Sequence, residues 1–239
     1  MTERLLSDIE YNYKKICENI NNAAIKSGRK YEDITFLAAT KTVEPEFINY
    51  AISLGLDHIG ENRVQELLSK YESYNLQNTK LHMIGHLQTN KVRQIVDKVD
   101  MIESVDSLKL AKEISDQSAK RDITTDILVE VNIGGEESKS GVSPEELDEL
   151  IEKIAVLPAI KVEGLMTIPP ICENKQKICR YFENMRKLFL DISCKKIDNI
   201  SMNVLSMGMS DDYCEAIESG ATMVRIGSAL FGARNYNLN

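Results

Sequence analysis

Apolar residues recur along this 239-residue chain at two spacings, that of helices and that of buried strands. A helical pattern covers residues from about 3 to 27 and ends at the stop signal Ser27-Gly28. The first strand pattern follows at about 34–40, and helix and strand patterns then alternate to the last residues. No linker rich in Pro, Gly or Ser divides them. We therefore expect one domain over residues 1–239, in which residues 1–30 form a helix ahead of the first strand.

Seven further apolar runs have the length and the flanking turn residues of buried strands. They lie at about 57–59, 81–84, 99–103, 126–131, 160–166, 200–205 and 222–226. The predicted helices between the strands cover about 45–54, 60–71, a stretch capped by Thr89 or Asn90, 106–120, a stretch from Pro144, 173–192 and 211–219. Eight strand–helix units in series favour an α/β fold of one closed (β/α)8 TIM barrel with an extra N-terminal helix. A doubly wound open sheet is the structural alternative.

The balance of charged residues limits the classes of partner. Asp and Glu number 37 against 29 Lys and Arg, which gives a formal net charge of -8. Nucleic-acid binding needs a basic surface, so we expect no nucleic-acid partner. No apolar stretch approaches the length of a membrane span, and the polar start Met1-Thr-Glu lacks a signal-like core. We therefore expect a cytoplasmic, soluble chain that is a monomer and has no membrane partner.

The spacing of cysteines and histidines argues against a disulfide framework and against a metal site. The five cysteines include no Cys-x-x-Cys pair, so we expect free thiols. His82 and His86 are four residues apart, but they lie across a strand end, where that spacing does not bring two side chains to one face. A core or hydrogen-bonding role is the better interpretation of both.

Lys41 is the first candidate for chemistry. It follows the apolar run Phe36-Leu-Ala-Ala39 at the carboxyl edge of the predicted first strand, where parallel α/β folds bind ligands. A lysine at the end of an apolar strand is desolvated, which favours the neutral, nucleophilic amine that a Schiff base requires. The alternative is a lysine with a buried stem and its ammonium group in water.

The last two strands end in turns that can hold a phosphate. Gly227-Ser228 leads from a strand into a short helical segment, and Ser206 lies at the neighbouring turn. Backbone N–H groups of such a turn, with a serine hydroxyl beside them, suit a phosphate, and the phosphate site of TIM barrels lies at these last loops. Ser210 is a weaker candidate because the acids after it also fit a helix N-cap.

A reactive lysine at the first strand and a phosphate cradle at the last two become neighbours when the barrel closes. An aldehyde that carries a phosphate satisfies both, and pyridoxal 5′-phosphate (PLP) is such a molecule. Arg225 fits this ligand because a guanidinium facing the pyridine nitrogen donates a hydrogen bond and keeps the nitrogen unprotonated. An ion pair at the barrel edge is the alternative role of Arg225.

Seven separated motifs, spread over nearly the whole chain, closely resemble the pyridoxal phosphate homeostasis protein family. They are Ala38-Ala-Thr-Lys-Thr42, Ile59-Gly-Glu-Asn-Arg-Val-Gln-Glu66, His82-Met-Ile-Gly-His-Leu-Gln-Thr-Asn-Lys91, Ser138-Lys-Ser-Gly141, Gly164-Leu-Met166, Leu205-Ser-Met-Gly-Met-Ser-Asp-Asp212 and Val224-Arg-Ile-Gly-Ser-Ala-Leu-Phe-Gly-Ala-Arg234. The resemblance implies a barrel like the N-terminal domain of alanine racemase. It also implies PLP held as an aldimine on Lys41. The other cofactor contacts implied or considered are Asn62 near the ring, Arg225 at the ring nitrogen, and Ser206, Ser210, Gly227 and Ser228 at the phosphate.

The function implied by the resemblance is homeostasis or carriage of PLP, with an indirect effect on amino-acid and keto-acid balance. Members of this family have no established catalytic reaction, so we expect no catalytic residues. Amino acids or PLP-accepting apoenzymes are the expected partners besides PLP itself. The alternative is a PLP-dependent amino-acid racemase or decarboxylase that uses the same Lys41.

Overall fold

Eight parallel strands close into a barrel in the computed structural model, which describes residues 5–136, 139–172 and 174–232. The strands are β1 (Thr35–Ala39), β2 (His58–Glu61), β3 (Lys80–Met83), β4 (Met101–Val105), β5 (Thr125–Glu130), β6 (Ile160–Met166), β7 (Ile200–Ser206) and β8 (Met223–Ile226). Their order around the barrel follows the chain, and β8 pairs with β1. The predicted TIM barrel is confirmed, and the doubly wound sheet is excluded because that sheet has open edges.

Helices surround the barrel, one ahead of the first strand and the others between or after the strands. They are α1 (Leu6–Lys26), α2 (Pro45–Ser53), α3 (Val64–Lys70), α4 (Leu108–Ala119), α5 (Leu147–Ala155), α6 (Lys175–Lys195), α7 (Tyr213–Glu218) and α8 (Ser228–Phe231). None of the helices in the described ranges combines the length and the apolar character of a membrane span. Residues 1–4, Ser138, Glu173, Ala233 and Arg234, which belong to predicted elements or motifs, lie outside the described residues. The extent of the domain over 1–239 stays a prediction.

The predicted N-terminal helix is present as α1, and it packs against α2, α7 and α8. Its buried positions follow one face of the helix at spacings of seven, four and three residues, at Ile9, Ile16, Ile20 and Ala23, and the adjacent Ala24 widens that face. Two amides fix its register, because Asn12 Nδ2 donates to the Leu230 carbonyl at 3.1 Å and Asn19 Nδ2 donates to the Tyr213 hydroxyl at 2.8 Å. The helix therefore covers the outer ring beside the last two strand–helix units.

Three predicted elements differ most from the structure. The helix expected over about 60–71 begins only at Val64, because Gly60 and Glu61 extend β2 beyond the predicted 57–59. The stretch expected to begin an α-helix at Thr89 or Asn90 is a 3-10 helix, Thr89–Gln94, preceded by Gln88. Three residues per turn keep the fully buried Val92 and Ile95 on one side of this short segment. The fourth strand lies two residues later than the predicted 99–103, and Glu103 is therefore in the middle of β4 rather than at its carboxyl end.

The main apolar core lies between the strands and the helices, and smaller apolar clusters fill the barrel lumen. Leu37, Ala39, Ile84 and Met223 form one lumen cluster, and Met101, Leu128 and Met166 form another. Gly164 allows β6 and β7 to approach, because its φ is +154° and a Cβ there would lie 1.8 Å from the Val204 carbonyl oxygen. The lumen also holds polar groups, which lie directly beneath the mouth.

Candidate functional site at the barrel mouth

A cavity of about 240 Å³ opens at the carboxyl ends of the strands. Its walls come mainly from the loops after β1, β2, β7 and β8, which are neighbours because the barrel is closed. Six of the seven residues predicted from the sequence line this cavity: Lys41, Asn62, Ser210, Arg225, Gly227 and Ser228. The seventh, Ser206, is fully buried beneath it.

Lys41 is half-buried and lies on a turn whose neighbouring residues are held by hydrogen bonds. The preceding Thr40 is fully buried, and its Oγ1 donates to Glu61 Oε1 at 2.8 Å. The following Thr42 has a φ of +59°, and its backbone N–H donates to Glu66 Oε1. Both neighbours of Lys41 are therefore held by carboxylates of the next strand–helix unit.

Lys70 connects those two carboxylates. Its ammonium group lies 3.1 Å from Glu61 Oε1 and 2.7 Å from Glu66 Oε1, and it donates to the Thr40 carbonyl at 3.2 Å. The Tyr74 hydroxyl donates to the same Glu61 oxygen at 2.5 Å, and burial together with Glu61 raises the pKa of this tyrosine. This cluster links the turn that carries Lys41 to α3 and the segment that follows it.

Asn62 contributes an acceptor to the wall of the cavity. Its Oδ1 atom is buried and has no hydrogen-bond partner among the described residues. Gly85 packs against its backbone so closely that a Cβ at that position would lie 2.3 Å from the Asn62 carbonyl oxygen. A buried acceptor without a partner costs about 1–3 kcal/mol, and a ligand that donates a hydrogen bond would recover that cost.

Ser210 does not have the helix-capping role considered from the sequence. The following helix, α7, begins at Tyr213 with Asp212 as its N-cap residue. The Ser210 hydroxyl oxygen instead accepts hydrogen bonds from the backbone N–H groups of Gly227 at 3.2 Å and Ala229 at 3.1 Å. It therefore joins the turn after β7 to the turn after β8, and the two predicted phosphate loops form one rim.

Arg225 is buried in the lumen and reaches the floor of the cavity. Its Nη1 donates to Ser206 Oγ at 2.5 Å, and its Nη2 donates to the Thr167 carbonyl at 2.8 Å. Burial lowers the pKa of Arg225, whereas the negative charges of Glu103 and Glu130 raise it. Arginine keeps its proton in proteins, so the floor of the cavity carries a positive charge.

Glu103 and His82 complete this buried network, and sequence reasoning did not assign them to it. Glu103 Oε1 accepts from His82 Nδ1 at 2.7 Å, and Oε2 accepts from Ser206 Oγ at 2.6 Å. Burial raises the pKa of Glu103, but hydrogen bonding to His82 and the charges of His82 and Arg225 bring it below its usual value. The sequence signal that could have identified them is a polar residue within an apolar strand, His82 in β3 and Glu103 in β4.

The two histidines considered as metal ligands lie apart. His82 is buried in the lumen, whereas the His86 side chain is 58% exposed and lies 3.6 Å from Asp106 Oδ2. Within the described ranges, no group of three or more His, Cys, Asp or Glu side chains is placed to hold a metal ion.

Glu130 gives the mouth a pH-dependent stability. Burial and the charge of Asp106 raise its pKa to about 7, although Arg225 opposes the shift. The native state thus keeps a proton that the unfolded chain releases at lower pH, so stability falls as the pH rises from the usual carboxyl range through about 7. We expect Glu130→Gln to remove this fall, which amounts to roughly 2–3 kcal/mol between pH 5 and pH 8.5.

Urea unfolding of both proteins at the two pH values measures this difference. The exposed Glu145, changed to Gln, is the matched control and should leave the pH dependence of the wild type intact. The raised pKa of Glu130 would be contradicted if the free energy of unfolding changed by the same amount between the two pH values in the wild type and in Glu130→Gln.

Known proteins share both the sequence and the fold. Residues 9–235 match the family of the alanine racemase N-terminal domain. The pyridoxal phosphate homeostasis protein of Aquifex aeolicus is 47% identical over 93% of this chain and 96% of its own length, and that of Escherichia coli K12 is 37% identical over 97% and 99%. PipY of Synechococcus elongatus, solved with PLP bound, superposes with a TM-score of 0.78 at 28% identity and covers 91% of this chain and 100% of its own. This chain therefore belongs to the family of pyridoxal phosphate homeostasis proteins, which the sequence motifs predicted.

Proposed function

We propose that this chain binds PLP in the cavity at the barrel mouth and holds it for intracellular PLP homeostasis. The observation that carries the proposal is the convergence of three groups on one cavity: the amine of Lys41, the guanidinium of Arg225 and the rim of Ser210, Gly227 and Ser228. The unpartnered Oδ1 of Asn62 in the same wall also fits a ligand. The solved relative PipY, whose structure contains PLP, supports this choice of ligand.

Each residue has a proposed role toward the cofactor. Arg225 donates a hydrogen bond to the pyridine nitrogen, and Ser206 holds Arg225 from beneath the cavity. Gly227 and Ser228 bind the phosphate. Asp211 also lines the cavity, and its charge would repel a dianion, so the phosphate belongs on the side of β8.

Lys41 is the proposed point of covalent attachment. Its Nζ would hold the cofactor's aldehyde carbon through a carbon–nitrogen double bond, with the aldehyde oxygen released as water. Asn62 lies beside the ring in this proposal. Because such a bond exchanges with other amines, free amino acids and lysines of PLP-accepting apoenzymes are the proposed recipients. The monomeric state and the cytoplasmic location stay predictions.

Reduction with borohydride tests the attachment. We expect the reagent to fix a pyridoxyl group on the peptide that contains Lys41, and mass spectrometry of the digested protein locates it. Lys41→Ala should lose the absorbance band of the carbon–nitrogen double bond between Lys41 and the cofactor, and it should keep weak binding of the free aldehyde through the phosphate contacts. A label found mainly on Lys91 or Lys139 would refute the assignment.

A further inference from the structure

A chain of buried polar groups crosses the barrel lumen beneath the cavity. It runs from His82 on β3 to Glu103 on β4, then to Ser206 on β7 and Arg225 on β8, through hydrogen bonds of 2.7, 2.6 and 2.5 Å. Because β4 and β7 are not neighbours in the barrel, the bond between Glu103 and Ser206 joins opposite walls. Every member of the chain is less than a tenth exposed.

The stability of the fold does not explain why this polar chain is buried in the lumen. Removing a carboxylate and a guanidinium from water costs several kcal/mol for each ion, and well-packed apolar side chains in place of a buried ion pair are often neutral or stabilising. Apolar clusters that include Leu, Ile and Met side chains already occupy other parts of the lumen. Of the four members of the chain, only Arg225 lines the cavity.

The geometry around Arg225 shows what the chain fixes. Arginine has five N–H donors in one plane, and the bonds to Ser206 and to the Thr167 carbonyl use one on each terminal nitrogen. Ser206 can accept from Arg225 in this orientation because its own proton goes to Glu103 Oε2. Glu103 Oε2 also lies 4.0 Å from Arg225 Nη1, so its negative charge faces the same guanidinium.

We propose that Glu103 is a positioning residue for the cofactor site: by accepting the Ser206 proton it orients the Arg225 guanidinium toward the ring nitrogen of PLP. This inference rests on the proposed function, in which Arg225 contacts that nitrogen. His82 fixes the other oxygen of Glu103 and so sets the orientation of the carboxylate. Glu103 itself does not touch the ligand, since it lies beneath the cavity and does not line it.

The experiment measures the dissociation constant of PLP by titrating the apoprotein, for the wild type, Glu103→Gln, Ser206→Ala and the double variant. A hydrogen bond to a charged group is worth enough that each single change should weaken binding about tenfold. The double variant should bind no more weakly than the worse single variant, because both changes break the same link. Borohydride should still label Lys41 in all four proteins.

A matched control separates positioning from a general loss of buried carboxylates. Glu163 is 8% exposed, bonds to Lys161 and Asn203, and neither lines the cavity nor bonds to Arg225. Glu163→Gln should leave the dissociation constant of PLP unchanged. Urea unfolding of each apoprotein shows that the variants are folded.

Three results would overturn the proposal. The first is a change of less than about threefold in both single variants, and the second is a double variant whose loss is the product of the two single losses. The third is an equal loss in Glu163→Gln. If Glu103→Gln does not fold, Ser206→Ala decides by the same threshold. A wild type that binds no PLP, or is labelled away from Lys41, reveals instead a failure of the proposed function.

Discussion

Arg225→Glu is expected to abolish PLP retention and to lower the free energy of unfolding by about 3–5 kcal/mol, the usual cost of breaking a buried ion pair. The guanidinium is the positive charge on which the carboxylates of Glu103, Glu130 and Asp212 act. A fourth carboxyl group in the same buried place would meet three others. The ring nitrogen of PLP would also face an acceptor instead of a donor.

Two variants show whether the effect belongs to the buried site. Arg180→Glu makes the same change of charge on the exposed face of α6, and it should change neither the urea midpoint nor PLP retention. Ser210→Ala removes the bonds to Gly227 and Ala229 and should cost about 0.5–2 kcal/mol, as the loss of a helix cap does. The placement of Arg225 would be disproved if Arg225→Glu had the same urea midpoint as the wild type and kept PLP through gel filtration.

The fold was predictable because parallel barrel strands are buried on both faces. Each strand therefore appears in the sequence as an apolar run bounded by turn residues, and eight such runs alternate with helices. Lys41 and Arg225 were predictable for a related reason. Each is a basic residue inside or just after an apolar run, and the closure of the barrel brings β1 beside β8.

The position of Glu103 was less accessible from the sequence. The stretch from Val99 to Val105 is largely apolar on both sides of the acid, so two strand frames two residues apart fit it equally well. A register shift in the pairing of β4 with β5 lies within this stretch. The correct frame places Glu103 in the lumen, where it supports the site from below rather than lining the mouth.

The serines illustrate a second limit. Ser210 precedes two acids, and this local pattern predicts an N-cap, but its hydroxyl bonds to backbone groups 17 and 19 residues away. Ser206 is the last residue of β7, and its side chain points into the lumen toward Glu103 and Arg225. Contacts between distant strand ends decide both roles, and spacing along the chain does not contain them.

Lys70→Met is expected to disturb the site from outside the cavity, with a loss of about 3–5 kcal/mol in the free energy of unfolding. The Lys70 side chain is 12% exposed and neutralises Glu61, which is fully buried, and Glu66. Glu61 Oε2 already has no hydrogen-bond partner among the described residues, so the remaining carboxylate would be poorly compensated. The bond from Lys70 to the Thr40 carbonyl would be lost as well.

The consequence for the site follows from where these groups act. Thr40 and Thr42 flank Lys41, and Glu61 and Glu66 hold them. Lys70→Met should therefore slow borohydride-trapped labelling of Lys41 and weaken PLP binding. Adding Glu61→Gln should restore part of the stability, since it removes the unpaired charge, and should restore less of the labelling because the Thr40 carbonyl bond is still missing.

Lys153→Met is the matched control, because Lys153 and Glu149 form an ion pair with the same spacing on the exposed side of α5. That change should leave the urea midpoint and the labelling of Lys41 near the wild-type values. If Lys70→Met also left both values unchanged, the ion pairs of Lys70 with Glu61 and Glu66 would contribute no more to stability than an exposed ion pair does. The turn that carries Lys41 would then owe its geometry to the backbone of β1 and α2, and the proposed dependence of Lys41 on α3 would be wrong.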